Sequence, residues 1–305
     1  MKRVLVTGAG SFTARHLQAL LARETPAARL HGSDVAPCGV GGVEDHPCDL
    51  TDPRAARALI EAVAPDLVYH LAGVSARDAE TCLAVNLGGT RHLLEACAAR
   101  SSPPAVVVVS TAAVYGLTRP DETPVRESTP LRPITPYGAS KAAAELLALS
   151  MHRRRLLPVV VVRPFNLVGP GLRAGFAPSD FLAQALAIRD RGAPPELRVG
   201  NLDARRDFVD VRDAVRAYRL LATEPRCQGE AWNVATGRGV PVRDLLAAIL
   251  RAVGVTPVVV ADPARRRPVE VLEQSGDAGA LARATGWTPE IALERSLRDM
   301  AAAGR

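Results

Sequence analysis

Tyr137-Gly138-Ala139-Ser140-Lys141 sets a phenol and an ammonium group four residues apart, directly after Pro136. In a helix, positions i and i+4 share one face, so these two side chains stand together. A free tyrosine has a pKa of about 10 and is a poor proton-transfer group near neutrality. A positive charge beside it stabilises the phenolate and draws that value down. The pair therefore suits proton transfer to or from a substrate oxygen. An amphipathic surface helix would also carry a Tyr and a Lys, but Lys2 and Lys141 are the only lysines in the chain. One of them falling at this position is poorly explained by chance.

A second group of residues suits an anion. Thr7-Gly8-Ala9-Gly10-Ser11-Phe12 follows the apolar run Val4-Leu5-Val6 at once. A glycine-rich turn between a first strand and a first helix points backbone N–H groups, and the helix N-terminus, at a pyrophosphate. Gly8, Gly10, Ser11 and Phe12 are the candidate contacts. Asp34 stands where a second strand should end, and a carboxylate there accepts hydrogen bonds from an adenosine ribose and repels a 2′-phosphate. That favours NAD(H), with NADP(H) left open. Asp49-Leu50 follows the same strand. His70-Leu71-Ala72-Gly73 closes the next one in small residues, where a larger side chain would collide with a dinucleotide lying across the strand ends.

The elements that must position these groups are legible as an alternation. Strand-like runs at Arg3 to Val6, Ala28 to Gly32, Asp66 to His70, Ala105 to Ser110 and Pro158 to Arg163 alternate with helical stretches. These run from Phe12 to Arg23, Pro53 to Val63, Ala79 to Arg100 and Pro136 to Arg153. Such an order predicts an α/β fold, a Rossmann-like doubly wound parallel sheet with helices on both faces. After about Asn166 the texture changes, with Gly169-Pro170-Gly171 and Pro194-Pro195 breaking the pattern. Helices are expected at Ser179 to Arg191, Val211 to Ala222 and Val242 to Val253. Residues 1–165 are thus expected to form a dinucleotide-binding domain, to which later segments return. Residues 166–305 are expected to be mainly a smaller substrate-binding region.

Composition narrows the partners. The net charge of +6 is almost wholly arginine, interspersed with acids, and only 4% of residues are aromatic, which argues against nucleic acid and fits an anionic small molecule. The five cysteines, Cys38, Cys48, Cys82, Cys97 and Cys227, form no CxxC pair and have no zinc-like spacing to histidines. No metal is expected. Met1-Lys2-Arg3 runs straight into a strand, and no apolar run has membrane-spanning length, so a cytoplasmic enzyme without a membrane partner is expected.

Taken together, these segments resemble the extended short-chain dehydrogenases/reductases, the NAD-dependent epimerase/dehydratase family, over nearly the whole chain. The family opens TGxxGFxGxxL, ends its second strand in an acid, touches adenine with Asp-Leu and ends its third strand HxAA or HxAG. Thr7, Gly8, Phe12, Leu17, Asp34, Asp49-Leu50 and His70-Leu71-Ala72-Gly73 match. Ser11 and Ala14 depart from it, standing where the family has its second and third glycines. A Cβ at Ser11 is expected to crowd the pyrophosphate and disfavour positive φ, with Gly10 taking up the turn.

The resemblance assigns roles. Val109-Ser110-Thr111-Ala112-Ala113-Val114-Tyr115-Gly116 is similar to the SSxxVYG segment, which makes Thr111 the catalytic hydroxyl beside Tyr137 and Lys141. Lys141 also holds the nicotinamide ribose. Relatives that dehydrate sugars carry Asp-Glu directly after the threonine, and Ala112-Ala113 lacks that acid and base. Arg163-Pro164-Phe165-Asn166-Leu167-Val168-Gly169-Pro170-Gly171 resembles RPFNxxGPG, in which Pro164 passes the nicotinamide and Asn166 holds substrate. Arg206 implies a clamp on a diphosphate, and Arg267 with Glu270 a hold on diphosphate and ribose.

Within the family, the segments from Gly200 to Asp213, Trp232 to Arg238 and Thr285 to Ile291 most resemble reductases of GDP-4-dehydro-6-deoxy-D-mannose. The implied activity is NAD(P)H-dependent reduction of the C4 keto group of a nucleotide-activated 4-keto-6-deoxy sugar, giving GDP-D-rhamnose. The alternative is a nucleotide-sugar 4-epimerase with tightly bound NAD, resembling UDP-glucose 4-epimerase. The resemblance also implies a homodimer formed by the helices around Ala79 to Arg100 and Pro136 to Arg153.

Overall fold

A computed structural model describes residues 1–265 and 271–303. The first half largely alternates strand and helix: β1 (Arg3–Thr7), α1 (Phe12–Glu24), β2 (Arg29–Ser33), β3 (Val43–Asp45), α2 (Pro53–Val63), β4 (Leu67–His70), α3 (Ala79–Cys82), α4 (Thr90–Ala98), β5 (Ala105–Val109), α5 (Pro136–Arg153) and β6 (Val159–Pro164). The helices start where polar caps dictate. Asp52 accepts a hydrogen bond from the Arg54 amide with Pro53 at the first position of α2, and Thr135 accepts one from Gly138 with Pro136 leading α5. Each cap satisfies an amide that has no partner inside the helix.

The second half adds β7 (Asn166–Val168), α6 (Ala177–Arg191), β8 (Glu196–Val199), β9 (Arg205–Asp210), α7 (Val211–Thr223), β10 (Ala231–Val234), β11 (Gly239–Pro241), α8 (Val242–Val253), β12 (Val258–Ala261), β13 (Glu273–Gln274), α9 (Gly279–Thr285) and α10 (Leu293–Ala303). Seven parallel strands form the main sheet in the order β10-β6-β5-β4-β1-β2-β3. The doubly wound parallel sheet expected from the alternation is therefore present. β10 lies beside β6, pairing Ala231 with Val161 and Val234 with Pro164.

Apolar side chains fill both faces of this sheet. One cluster joins Val4, Val6, Leu17, Tyr69 and Val107 to Val215 and Tyr218 of α7; the other joins Leu5, Val68, Val106 and Val108 to Ile60, Leu93 and Leu149. A third core gathers Leu245, Ile249, Phe181, Leu182 and Leu297 of the second half. There β9 runs between β11 and β13 and also pairs with β7, and β8 pairs with β12.

Two departures from the sequence expectation are instructive. The stretch from Ala79 is not one regular helix, because α3 and α4 are separated by a π-helical segment, Leu83–Gly89. Such widened turns free backbone groups and gather at functional sites. Here the Thr90 hydroxyl donates to the Asn86 carbonyl at 2.5 Å, and the buried Asn86 side chain reaches Val74 and Ser140. The edge strand β3 was not expected at all. It has three residues and lies just past Gly39, Gly41 and Gly42, so it carries no strand periodicity.

Candidate active site

The glycine-rich turn adopts its shape through Gly8, not Gly10. Gly8 has φ +67°, and a Cβ on it would lie 2.7 Å from the Ala72 amide nitrogen. Close approach of the backbone after β4 thus forbids a side chain there. Ser11 corrects the expectation of strain: its φ is −69°, and its hydroxyl accepts a hydrogen bond from Ala14 as the cap of α1. A serine is at home in that position, since capping needs extended backbone and a side-chain oxygen. Phe12 packs edge-on to His16 at 5.4 Å between ring centroids, while His16 Nε2 lies 2.9 Å from the Pro170 carbonyl oxygen. These contacts join the dinucleotide turn to the Gly169-Pro170-Gly171 segment.

Asp34 lies just past the end of β2. Its Oδ2 accepts a hydrogen bond from Gly10 at 3.1 Å and its Oδ1 one from Val35 at 2.8 Å. The Arg15 guanidinium donates to the Gly10 carbonyl at 3.3 Å and the Cys38 carbonyl at 3.2 Å, so a cation stands on the same turn as the carboxylate. Asp49 is exposed and accepts bonds from the Thr51 amide and hydroxyl, which hold its carboxyl below the usual range. Leu50 is buried beside Gly89. His70 is buried between the hydroxyls of Thr7 (2.7 Å) and Thr90 (2.8 Å). Burial, reinforced by the Lys141 charge, lowers its pKa to about 3, so it stays neutral and serves as a brace.

Farther along the strand ends, α5 presents Tyr137 half-buried and Lys141 buried. A Cβ on Gly73 would stand 3.0 Å from Asn86 Oδ1 and 3.8 Å from Lys141 Nζ, so the bare glycine keeps the approach to the lysine open. Thr111 caps the short helical turn Ala112–Val114, accepting from the Ala113 amide, and its side chain also hydrogen-bonds Tyr137.

The proton affinities differ from the simple expectation. Burial raises the Tyr137 pKa, and the groups that oppose it are the Thr111 hydroxyl and the Arg173 guanidinium. Burial likewise pushes Lys141 down to about 8 against the pull of Glu145. Arg173 was missed in the sequence. It lies just past Gly171, and its only local signal is a single arginine among many. Asn86 was missed too, although a lone asparagine in an apolar stretch is a visible anomaly.

On the substrate side, Pro164 ends β6 and is buried. Asn166 opens β7 and donates from Nδ2 to the Asp207 carbonyl at 3.0 Å. Asp207 is itself a buried hub, accepting from Thr236, Gly237 and Gly276. Arg206 is half-buried on β9, opposite Val240 and Gln274, with one guanidinium N–H on the Arg205 carbonyl. Arg267 and Glu270 lie outside the described residues.

The residues at the sheet's strand ends fit a dinucleotide. The turn at Gly8–Ser11 and the start of α1 would hold its pyrophosphate, Asp34 the adenosine ribose, and Lys141 beside Gly73 the second ribose. The phenol and the threonine hydroxyl then lie together at the inner end, where an acid acting on a substrate oxygen would be needed.

Residues 4–235 match the NAD dependent epimerase/dehydratase family. The chain is 34% identical over 303 residues to GDP-6-deoxy-D-mannose reductase of Pseudomonas aeruginosa, covering 97% of this chain and 95% of that protein. Among solved structures, RMD from Pseudomonas aeruginosa complexed with NADPH superposes with a TM-score of 0.88 at 32% identity, covering 99% of this chain and 98% of that one. Thermus thermophilus UDP-glucose 4-epimerase in complex with NAD gives 0.86 at 28% identity, covering 99% and 98%. Match and full-length likeness together show that the chain belongs to the NAD dependent epimerase/dehydratase family, the NAD(P)-dependent extended short-chain dehydrogenases/reductases.

Proposed function

We propose that this protein reduces the C4 keto group of GDP-4-keto-6-deoxy-D-mannose to give GDP-D-rhamnose. The observation that carries this reading is the end-to-end similarity to GDP-6-deoxy-D-mannose reductase, which extends through the substrate half of the chain. Ala112-Ala113 supports it by exclusion: two methyl groups stand where elimination would need an acid and a base. A reduced nicotinamide, when bound, would supply the hydride for C4. Tyr137 gives its proton to the C4 oxygen, and Thr111 hydrogen-bonds the same oxygen to orient it. The Lys141 charge favours the phenolate that Tyr137 leaves and holds the nicotinamide ribose. Asn166, Arg206, Arg267 and Glu270 hold the nucleotide diphosphate and sugar, since planar guanidinium forks suit phosphate oxygens. Residues 166–305 are mainly the substrate region. Asp34 favours NADH, while Arg15 on the same turn leaves NADPH usable.

The enzyme is further proposed to be a cytoplasmic homodimer. Leu83 on the π-helical segment and Leu146 on α5 are exposed on neighbouring helices, which supports pairing through this face. Among the described residues no helix is long and apolar enough to cross a membrane.

A second reading, a nucleotide-sugar 4-epimerase, is favoured by the likeness to the NAD-bound Thermus enzyme. The separating experiment supplies GDP-4-keto-6-deoxy-D-mannose with NADH or NADPH and follows dinucleotide oxidation. Stoichiometric oxidation with a new C4 hydroxyl is expected. Protein that carries NAD through gel filtration and interconverts C4 epimers without net oxidation would establish the second reading instead.

A further inference from the structure

At the outer edge of the main sheet, away from Tyr137 and Lys141, three side chains converge. The register sets His31 of β2 opposite Glu44 of β3, and the His46 amide continues the pairing onto the Gly32 carbonyl at 2.8 Å. Side chains alternate across a strand, so Glu44 and His46 share one face, and cross-strand pairing puts His31 on it too. His31 Nδ1 lies 3.0 Å from His46 Nε2 and 3.5 Å from Glu44 Oε2, and Glu44 Oε1 lies 3.6 Å from His46 Nε2. Neighbouring ligand atoms on a tetrahedral zinc ion with bonds of about 2.0–2.1 Å are about 3.3 Å apart. The three separations bracket that edge length.

We propose that His31, Glu44 and His46 form a Zn²⁺ site, with the fourth position open to water. Two imidazole nitrogens and a carboxylate suit a borderline cation, whereas Ca²⁺ and Mg²⁺ prefer oxygen alone. Exposure grades outward, from 7% of the His31 side chain through 21% for His46 to 64% for Glu44, so the site has an anchored inner ligand and an open path to solvent. Its role would be to tie the three-residue strand β3 to β2, the strand that leads to Asp34. Two features keep the affinity moderate. His31 Nε2 is buried with no hydrogen-bond partner among the described residues, so the outer contact that usually tightens a ligating histidine is missing. Arg3 and Arg29 also bring positive charge near His31.

Without an ion, the 3.0 Å contact is an ordinary hydrogen bond between imidazoles, and metal binding decides between the two. Chelator-treated protein should take up one equivalent of Zn²⁺ by calorimetry. Co²⁺ should show tetrahedral visible absorption with no thiolate charge-transfer band, lost on adding Zn²⁺. His46→Ala should abolish uptake. Glu44→Gln, at an exposed position where thermal unfolding should show the fold intact, should weaken it by more than the roughly 10- to 100-fold typical of losing an outer contact. Absence of saturable binding overturns the proposal, as does binding that survives both substitutions or carries the thiolate band.

Discussion

Helix α5 and its surroundings hold two buried cations that share one carboxylate, and they are treated in opposite ways. Arg163 on β6 makes a two-pronged pair with Glu145 at 2.6 and 3.2 Å, donates to the Tyr115 hydroxyl at 2.9 Å and to the Glu127 carbonyl at 3.1 Å. Burial works to lower its pKa, but the Glu145 and Tyr115 contacts hold it above the usual arginine value. Tyr115 passes the network on to Asn233 of β10 at 2.6 Å. Lys141, one turn before Glu145 on α5, has no such partner among the described residues. It feels that carboxylate only at a distance, and burial wins, leaving a pKa of about 8. A buried charge is tolerable when paired and costly when not. The arginine end of this region is therefore scaffold, fixing α5 to β6, β10 and the segment that carries Tyr115 and Glu127, while the lysine end keeps an unmet demand that a bound ligand can satisfy.

Substitutions at the two ends should separate activity from stability. Tyr137→Phe is expected to lower turnover with the 4-keto nucleotide sugar about 10²–10⁴-fold, the usual contribution of general acid–base catalysis. The ring still packs, so dinucleotide affinity and fold should survive. Lys141→Ala should lower turnover further and weaken dinucleotide binding, yet leave thermal stability at neutral pH equal or higher, because it removes an unpaired buried charge. Steady-state NADH oxidation, calorimetry and unfolding curves check these together. Retention of most of the wild-type rate in Tyr137→Phe would overturn the site assignment.

Arg163→Met should do the reverse. It strands the buried Glu145 carboxylate, for which about 3–5 kcal/mol of lost stability is expected. Denaturant unfolding at neutral pH measures it. Any loss of turnover should recover at lower temperature, where the fold is intact. If Lys141→Ala proved as destabilising as Arg163→Met, the distinction between scaffold and reactive cation would fail.

The contrast between the two ends also explains what was legible in the sequence. Strand and helix positions of the first half follow from apolar runs and caps such as Asp52-Pro53 and Thr135-Pro136, which act locally. Tyr137 and Lys141 are visible because their spacing is a property of one helix. The Arg163–Glu145–Tyr115–Asn233 network is not, since its members come together only when β6, α5, β10 and the segment around Tyr115 assemble. Arg173 is hidden for the same reason, as its effect on Tyr137 depends on where the segment after Gly171 comes to lie. Ser11 shows the limit of motif matching: position-by-position comparison with glycine predicted strain, whereas the backbone gives that residue a cap's conformation and assigns positive φ to Gly8.

Acidity sharpens the comparison further. Reduction needs Tyr137 protonated and Lys141 charged. The raised pKa of Tyr137 keeps its proton in place across neutrality, so Lys141 sets the alkaline limit. The expected kcat/KM for reduction is flat through neutrality and falls as pH rises past about 8, approaching tenfold per pH unit. The linked stability runs the other way. The unfolded chain holds the lysine proton up to its ordinary pKa of about 10.4, so between about 8 and that value the unfolded state binds more protons and stability rises with pH. Lys141→Arg, which keeps its charge, should move the activity limit to higher pH. A limit that stays near pH 8 in that variant would assign it to another group.

The smallest expected effect belongs to Thr111→Val. The substitution keeps the shape of the side chain and removes one hydroxyl. That hydroxyl accepts from the Ala113 amide and hydrogen-bonds Tyr137, where it opposes the rise in the phenol's pKa. Loss of one such bond is typically about 0.5–1.5 kcal/mol, or roughly two- to tenfold in rate. Turnover should fall by that much, less than for Tyr137→Phe or Lys141→Ala, because the proton donor and the charge both remain. Dinucleotide affinity should not move, since the role proposed for Thr111 is toward the substrate oxygen. Thr111→Ser, which restores the hydroxyl, should recover most of the rate. A loss in Thr111→Val as large as that in Tyr137→Phe, with rescue by serine, would mean that the threonine orients the reacting oxygen far more tightly than a single neutral hydrogen bond accounts for.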